Sequence, residues 1–450
     1  MKECIAAIAT ALASAGLGVV RLSGRNSIDI AANFFKSKKE VKSLKGYEAA
    51  YGKIYEDDFV LDDGVILVFK APNSYTGEDV VEISCHGGLL ILERLLKLCY
   101  KNGARPAKRG EFTKRAFLNS KLSLTQAEAV MDIVSADSVG FLKAAGEVKN
   151  GSLYKKAKEV TEKLVEKAGH IAVYLDYPQD EIEEVEIKKL KEEIKEQRDR
   201  LKEILKNNRF ESILKNGVKV SIIGNSNVGK STLMNLICGE EKSIVTDIEG
   251  TTRDVLKHTV EINGINFIFC DTAGIRETED EVEKIGVKRA IEALKESDLI
   301  LYIADEGTKE EDLEILKGNE ESKKILVYNK VDIKYDRSSF KGYKFDKILE
   351  TTKEDIKTVE KLKEEIYKEQ KLEGLNNKAD ILILNERQKQ GIDRAILKLE
   401  EVLKYLDGGS YLDVIAEILD SAIESLLELT GEKVSDLVVE EIFSKFCVGK

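Results

Sequence analysis

The period of the apolar positions changes along this chain. Up to residue 118 they fall in short runs between turns. Val19–Val20–Arg21–Leu22, Val65–Ile66–Leu67–Val68–Phe69 and the shorter Val80–Val81–Glu82–Ile83 read as strands. Thr76–Gly77–Glu78 and His86–Gly87–Gly88 supply the turns around the last of them, and Leu89 to Tyr100 continues with a helical repeat. Strands mixed with helix in this way predict an α+β domain over 1–118.

From 119 to 212 the repeat is helical. Ser123, followed three residues later by Gln126, reads as a capping box that opens the helix Leu124–Thr125–Gln126–Ala127–Glu128–Ala129–Val130. Between Glu186 and Asn207 the residues Ile187, Leu190, Ile194, Leu201, Ile204 and Leu205 share one side. Lys and Glu four apart fill the rest, which reads as a solvated, ion-paired face more readily than as a partner surface. Short apolar runs return over 213–376, and from 377 to 450 the helical repeat resumes, in Arg394–Ala395–Ile396–Leu397–Lys398–Leu399–Glu400 and from Leu412 to Leu429. The pattern predicts a multidomain chain: an α+β N-terminal domain, then an all-α helical bundle built from two segments and interrupted by an inserted α/β domain. A length of 450 residues is ample for these cores.

The inserted section carries the chemistry. Gly224–Asn225–Ser226–Asn227–Val228–Gly229–Lys230–Ser231 stands between the apolar run Val218–Lys219–Val220–Ser221–Ile222–Ile223 and the helical start Thr232–Leu233–Met234–Asn235–Leu236–Ile237. This is the phosphate-binding loop G-x-x-x-x-G-K-[ST] in the strand-to-helix setting it requires. Its glycines let backbone amides turn around a polyphosphate, Lys230 offers a point charge, and the Ser231 hydroxyl can ligate Mg²⁺. Asp271–Thr272–Ala273–Gly274 ends the run Phe267–Ile268–Phe269–Cys270; the Asp can hold Mg²⁺ through water and the Gly amide can meet a γ-phosphate. Asn329–Lys330–Val331–Asp332 follows Ile325–Leu326–Val327–Tyr328, and the carboxylate of Asp332 can accept from the two nitrogen donors of guanine. Three motifs in this order, each at the C-terminal end of a strand, predict a GTPase domain.

The residue that should orient the attacking water is absent from its usual place. Many GTPases carry a glutamine just after the D-x-x-G glycine; here that position is Ile275, which cannot position water. Thr246–Asp247–Ile248–Glu249–Gly250–Thr251–Thr252–Arg253–Asp254 lies where a switch loop belongs, with the Thr252 hydroxyl a candidate Mg²⁺ ligand. Glu277, Glu279, Asp280, Glu281 and Glu283 follow, any of which could bridge to a water or simply be solvated.

Charge and cysteines narrow the class. A net charge of −11 argues against nonspecific nucleic-acid binding by the chain as a whole, though not against a local basic patch. The six cysteines are scattered, with no C-x-x-C, so neither a zinc site nor a disulfide framework is expected; free thiols in a reducing cytosol fit. Neither a signal segment nor a membrane span is evident, and the expected location is cytoplasmic, with no membrane partner.

Further stretches carry a family likeness: Val19–Val20–Arg21–Leu22–Ser23–Gly24, Pro72 to Asp79, Gly110 to Asn119, Asp247 to Asp254, Asp271 to Gly286, and the terminal Phe446–Cys447–Val448–Gly449–Lys450. With them the chain resembles, end to end, the bacterial tRNA-modification GTPases of the MnmE (TrmE) family. The resemblance implies a tetrahydrofolate-binding N-terminal domain that also dimerises (1–118), a helical domain from 119–212 and 377–450, and a Ras-like G domain (213–376). It implies a homodimer that works with the FAD- and NADH-using partner MnmG (GidA), in a heterotetramer or larger complex. Together they would add an aminomethyl or carboxymethylaminomethyl group to C5 of the wobble uridine (U34) of certain tRNAs, with the one-carbon unit drawn from 5,10-methylene-tetrahydrofolate.

Residue by residue, the resemblance implies that Asn227–Val228–Gly229–Lys230–Ser231–Thr232 wrap the GTP phosphates, with Thr246 to Thr252, Asp271 to Gly274, Asn329, Lys330 and Asp332 completing the nucleotide site. Asn227 and backbone groups of Thr246, Ile248 and Thr251 would bind K⁺, a cation able to stabilise transition-state charge as an arginine finger does. Glu283 matches the glutamate that positions water, which fills the gap left by Ile275. Arg21, Glu82, Lys121 and Lys450 resemble the folate-binding positions, and Cys447 matches a cysteine considered for the modification chemistry, a role its sequence leaves level with simple packing. Three departures stand out: Thr10 to Gly18 lacks the family's usual proline-glycine start, Ser226 replaces a common proline, and Thr351–Thr352–Lys353 stands where the guanine loop usually reads Ser-Ala-Lys. The competing readings are a plain GTP switch, which would not need the N-terminal motifs or the terminal FCVGK, and a folate enzyme resembling aminomethyltransferases with an accessory G domain.

Overall fold

A computed structural model describes residues 3–177, 185–206, 208–224, 228–239, 257–271, 294–305, 316, 322–329, 344–352, 355–370, 372, 382–409 and 411–450. These divide into two compact units. The first comprises residues 1–134, 147–205 and 384–450, and the second 135–146 and 206–383.

The first unit begins with a seven-stranded sheet in the order β3-β4-β5-β6-β2-β1-β7. Its strands are β1 (Ile5–Ile8), β2 (Ala15–Ser23), β3 (Phe35–Ser37), β4 (Glu48–Glu56), β5 (Phe59–Phe69), β6 (Val80–Gly87) and β7 (Arg105–Pro106). All pairs are antiparallel except β1 with β7. Helices α1 (Ser27–Phe34) and α2 (Leu89–Lys101) bury Ile30, Phe34, Leu92, Leu95 and Leu98 in one core with Val20, Leu22, Ile66, Val68 and Ile83 of the strands. The alternation in Val20–Arg21–Leu22 therefore leaves Arg21 on the opposite face of the sheet from that core.

Helices α3 (Glu111–Leu118) and α4 (Leu124–Ser135) follow. The expected capping box is present at α4: Gln126 N–H donates to Ser123 Oγ at 3.2 Å, and Ser123 N–H to Gln126 Oε1 at 2.9 Å. After α5 (Val139–Lys149), helices α6 (Ser152–Asp176), α7 (Ile187–Leu205), α11 (Glu386–Asp407) and α12 (Leu412–Thr430) close a four-helix ring in which each touches two neighbours. The two flanking segments thus form one bundle, as their separate apolar stripes require: Leu190, Ile194 and Leu201 on α7, Ile392, Leu399 and Val402 on α11. One polar tie joins them: buried Glu128 of α4 takes a two-pronged bond from Arg387 at 2.8 and 2.7 Å and another from Gln388 at 2.6 Å.

The second unit holds α8 (Asn208–Asn216) and a six-stranded sheet, β13-β12-β11-β8-β10-β9. Here β8 is Val218–Ile223, β9 Lys257–Ile262, β10 Ile265–Asp271, β11 Leu299–Ala304, β12 Lys323–Asn329 and β13 Lys347–Thr351. Only β9 runs antiparallel; the rest are parallel, and β11 is buried along its whole length, as a central strand covered on both faces must be. Helices α9 (Lys230–Cys238) and α10 (Ile356–Glu369) contribute Leu233, Ile237, Val359, Leu362 and Ile366 to its core.

The unit boundaries differ from the expected domain boundaries. The N-terminal and helical sections fall within one contact unit, because Phe117, Leu124, Ala127, Val439, Phe443 and Phe446 make a common apolar cluster with α13 (Asp436–Ser444). Residues 135–146, expected with the helices, belong to the second unit: Phe141 and Ala144 are buried with Val218 and Phe267, and Gly140 N–H donates to Gly264 O at 2.8 Å. Residues 206, 208–212, 382 and 383 also cluster there. A helical period marks an apolar stripe but not which core the stripe faces.

Candidate functional site

The second unit builds a phosphate cradle at the C-terminal edge of its parallel strands. From β8 the chain order runs to β10 on one side and β11 on the other, which makes the end of β8 the switch point of the sheet. Gly224 leaves β8 with φ +149°, and a Cβ there would lie 2.3 Å from the Ile303 carbonyl oxygen, so only glycine fits. Gly229, at φ 92°, turns the backbone into α9, whose first-turn N–H groups have no helical partner, the arrangement that anion sites at helix starts use. Lys230 Nζ donates to Gly224 O at 2.7 Å, spanning the two ends of the loop. Ser231 and Thr232 are exposed in the same first turn.

Neighbouring strand ends complete the cradle. Asp271 ends β10 in register with Ile222, next to the loop. Asn329 ends β12 and donates through Nδ2 to the buried Val228 carbonyl at 2.8 Å, while Thr351 Oγ1 donates to Asn329 Oδ1 at 3.3 Å. The side chain of Asn329 therefore braces the loop, and Thr351, which faces it in register from β13, braces Asn329. Asn227, Thr246, Asp247, Ile248, Glu249, Gly250, Thr251, Thr252, Thr272, Ala273, Gly274, Glu283, Lys330 and Asp332 lie outside the described residues.

A second constellation lies in the first unit. Arg21 and Glu82 are direct cross-strand partners on β2 and β6, and Arg21 Nε donates to Glu82 Oε1 at 2.7 Å. The same guanidinium sits 5.7 Å from the centre of the Phe112 ring and donates through Nη1 to Gly449 O at 3.2 Å. The C-terminal tail is thus bound at this site. Gly110 N–H donates to Cys447 O and Phe112 N–H to Lys450 O, each at 3.2 Å. Gly449, at φ +98°, packs so closely that a Cβ would stand 2.4 Å from the Ile8 carbonyl oxygen.

The structure brings Arg21, Glu82, Cys447 and Lys450 to one place. It puts Lys121 on the Pro72–Gly77 turn, where its Nζ donates to Pro72 O at 3.1 Å. Tyr75, from the same turn, donates to or accepts from Thr113 Oγ1 at 2.9 Å; burial pushes its phenol up, against the opposing pulls of that hydrogen bond and of Arg21. Sequence reasoning missed Phe112 and Tyr75. Both lie in stretches noted as family motifs, but neither carries a charge that would flag it.

Cys447 is exposed, whereas Cys4, Cys85, Cys99 and Cys270 are buried and Cys238 is half-buried. Burial pushes the Cys4 thiol up to about 12 and that of Cys85 to about 11, so these are inert at neutral pH. Asp62, Asp63 and His86 bring three possible metal-ligand atoms within 4.8 Å of one another on β5 and β6. His86 is already bonded to Asp62 at 2.8 Å and Asp63 to Tyr51, so the group satisfies itself. Among the described residues no helix is long and apolar enough to cross a membrane.

Comparison with known proteins covers the whole chain. The family model described as the GTP-binding protein TrmE N-terminus matches residues 4–121, and that of the MnmE helical domain matches 124–447. The "tRNA modification GTPase MnmE" of Acetivibrio thermocellus is 40% identical over 100% of this chain and 99% of its own length. The protein of the same description from Clostridioides difficile is 36% identical over 100% of both. Among solved structures, the G domain of the T. maritima FeoB iron transporter is 27% identical over 34% of this chain and 97% of that chain, with a TM-score of 0.27, too low to bear on the fold. Two family models matched in order, and relatives alike from end to end, make this chain a member of the MnmE (TrmE) family of GTP hydrolases.

Proposed function

We propose that this chain couples GTP hydrolysis to the modification of C5 of the wobble uridine (U34) in certain tRNAs, adding an aminomethyl or carboxymethylaminomethyl group. The observation that carries the reading is the C-terminal tail held at the Arg21–Glu82–Phe112 site, in a chain that also has a phosphate cradle. A plain GTP switch needs no such second site. The relatives' description as tRNA modification GTPases over their full lengths supports the same reading.

In this reading the described N-terminal groups fit a folate. Glu82 is an acceptor for the donor edge of a pterin, and Lys450 or Lys121 answers the anionic glutamate tail. The folate, as 5,10-methylene-tetrahydrofolate, supplies the one-carbon unit when bound. Ser231 and Thr232, in the first turn of α9, would face the phosphates, with Mg²⁺ on Ser231 and Thr252. K⁺ would be held by Asn227, Thr246, Ile248 and Thr251. The protein works in the cytoplasm as a homodimer joined through the N-terminal section, with MnmG supplying FAD and NADH; pairing of the two G domains drives hydrolysis, and Glu283 positions the water.

The direct test is mass spectrometry of wobble uridine in cells lacking the gene, complemented with wild type or Cys447→Ser. Loss of the C5 modification in the deletion and its return with wild type are expected; normal modification in the deletion overturns the reading. The Cys447→Ser arm decides between chemistry and packing for that thiol. In vitro, GTP turnover is expected to be faster in K⁺ than in Na⁺ and to fall by about 10²-fold in Glu283→Ala. Equal rates in the two salts would remove the ion from the mechanism.

A further inference from the structure

Two exposed cations lie beside the docked tail and have no role in either site. Lys108 and Arg109 are exposed at the turn before α3, and among the described residues neither side chain has an ion-pair partner. The turn is fixed rather than loose. Ala107 N–H donates to Ala6 O at 3.1 Å, Lys108 N–H to Glu111 Oε2 at 2.9 Å and Gly110 N–H to Cys447 O at 3.2 Å. Lys450 lies at the far end of the same tail, and Cys447 and Val448 are exposed between them.

The nearby acids are already engaged. Glu111 is bound by Arg105 and Arg115, Glu440 by Lys114, and Glu441 by Lys445 at 3.2 Å. With those pairs taken out, Lys108, Arg109 and Lys450 are left without an ion-pair partner among the described residues, in a chain whose net charge is −11. A local cationic excess on an acidic protein, fixed in place beside the one exposed thiol, is what a polyanion would recognise.

We propose that Lys108, Arg109 and Lys450, set around the docked C-terminal tail, form a contact surface for the phosphodiester backbone of RNA. This rests on the tRNA reading above and names where on the chain the tRNA is held. Phosphate contacts position without reading sequence. The surface therefore sets where the RNA lies relative to the tail and leaves the choice of tRNA to other contacts.

The test uses the full-length chain and a labelled tRNA transcript, with affinity measured by anisotropy across a salt series. Lys108→Glu with Arg109→Glu is expected to weaken binding about tenfold or more and to make the plot of log affinity against log salt shallower by about 1–2. Lys108→Arg with Arg109→Lys should bind as wild type. The charge-matched control, Lys188→Glu with Lys189→Glu on α7, where both residues are exposed, should change little. Unchanged affinity and slope in the first variant, an equal loss in the control, or no salt-dependent binding by wild type overturns the proposal. The function reading stands or falls separately, on wobble-uridine analysis in the deletion strain.

Discussion

Lys230→Ala is expected to lower GTP turnover by about 10³-fold or more. Nζ lies 2.7 Å from Gly224 O, so the amine already reaches across the loop where the phosphates of a nucleotide would sit. It is the only cation in the first turn of α9, where the helix amides supply partial positive charge but no full one. Charge that builds on a transferring phosphoryl group must be met by preorganised partners, and alanine leaves the amides alone to meet it. The substitution should not damage α9 itself, since alanine is the better helix former. Lys230→Met keeps the reach and removes the charge, and should fall as far. Turnover in both variants within about threefold of wild type would overturn the assignment of this loop to hydrolysis; the check is single-turnover GTP hydrolysis with protein in excess.

Much of this architecture was legible because its signals are local. The phosphate loop needs a strand, glycines and a helix start in one stretch, and the structure has β8, Gly224, Gly229 and α9 in that order. Spacing alone marks the capping box Ser123–Gln126, and a second one forms at Asn385 and Gln388 with the same spacing. The apolar helical repeats on either side of the inserted section are enough to predict that the two flanks share a bundle. What was not legible is long-range pairing. Nothing near Glu128 in sequence shows that Arg387, far along the chain, closes on it. Asn329 is expected in the nucleotide site, yet its side chain holds the Val228 carbonyl, far away along the chain. Phe112 gives no sign in sequence that a guanidinium lies over its ring. The assignment of 135–146 to the second unit depends on which core Phe141 faces, and periodicity is blind to that.

Arg115→Ala is expected to destabilise the N-terminal section by about 3–5 kcal/mol, the range for removing one partner of a buried ion pair. Arg115 is 4% exposed. Its Nη1 donates to Glu78 at 2.7 Å and to Ser23 O at 3.2 Å, and its Nη2 to Glu3 O at 2.8 Å and to Glu111 at 3.1 Å. One guanidinium thus ties the N-terminal strand, the end of β2, the Thr76–Glu78 turn and α3, and alanine leaves two largely buried carboxylates short of a partner. Local hydrogen exchange is the appropriate measure, since the chain has more than one unit. The β1 and β2 amides should exchange at least ~10²-fold faster in the variant, and a change below about fivefold would show that the network is dispensable. The same network sets an acid dependence. Burial alone would raise the Glu111 carboxyl, but hydrogen bonds from Arg105, the Lys108 amide and Arg115 overcome that and hold it at about 2, against 4.5 for the free side chain. A lowered folded-state value means the unfolded chain binds the proton first. Glu111 therefore contributes its full stabilisation above pH 4.5 and loses it progressively as the pH falls toward 2. In Arg115→Ala part of that downward pull is gone, so protection of β1 and β2 should depend less on pH across this window. An acid dependence identical to that of wild type would mean that Arg105 and the backbone amide alone hold the carboxylate.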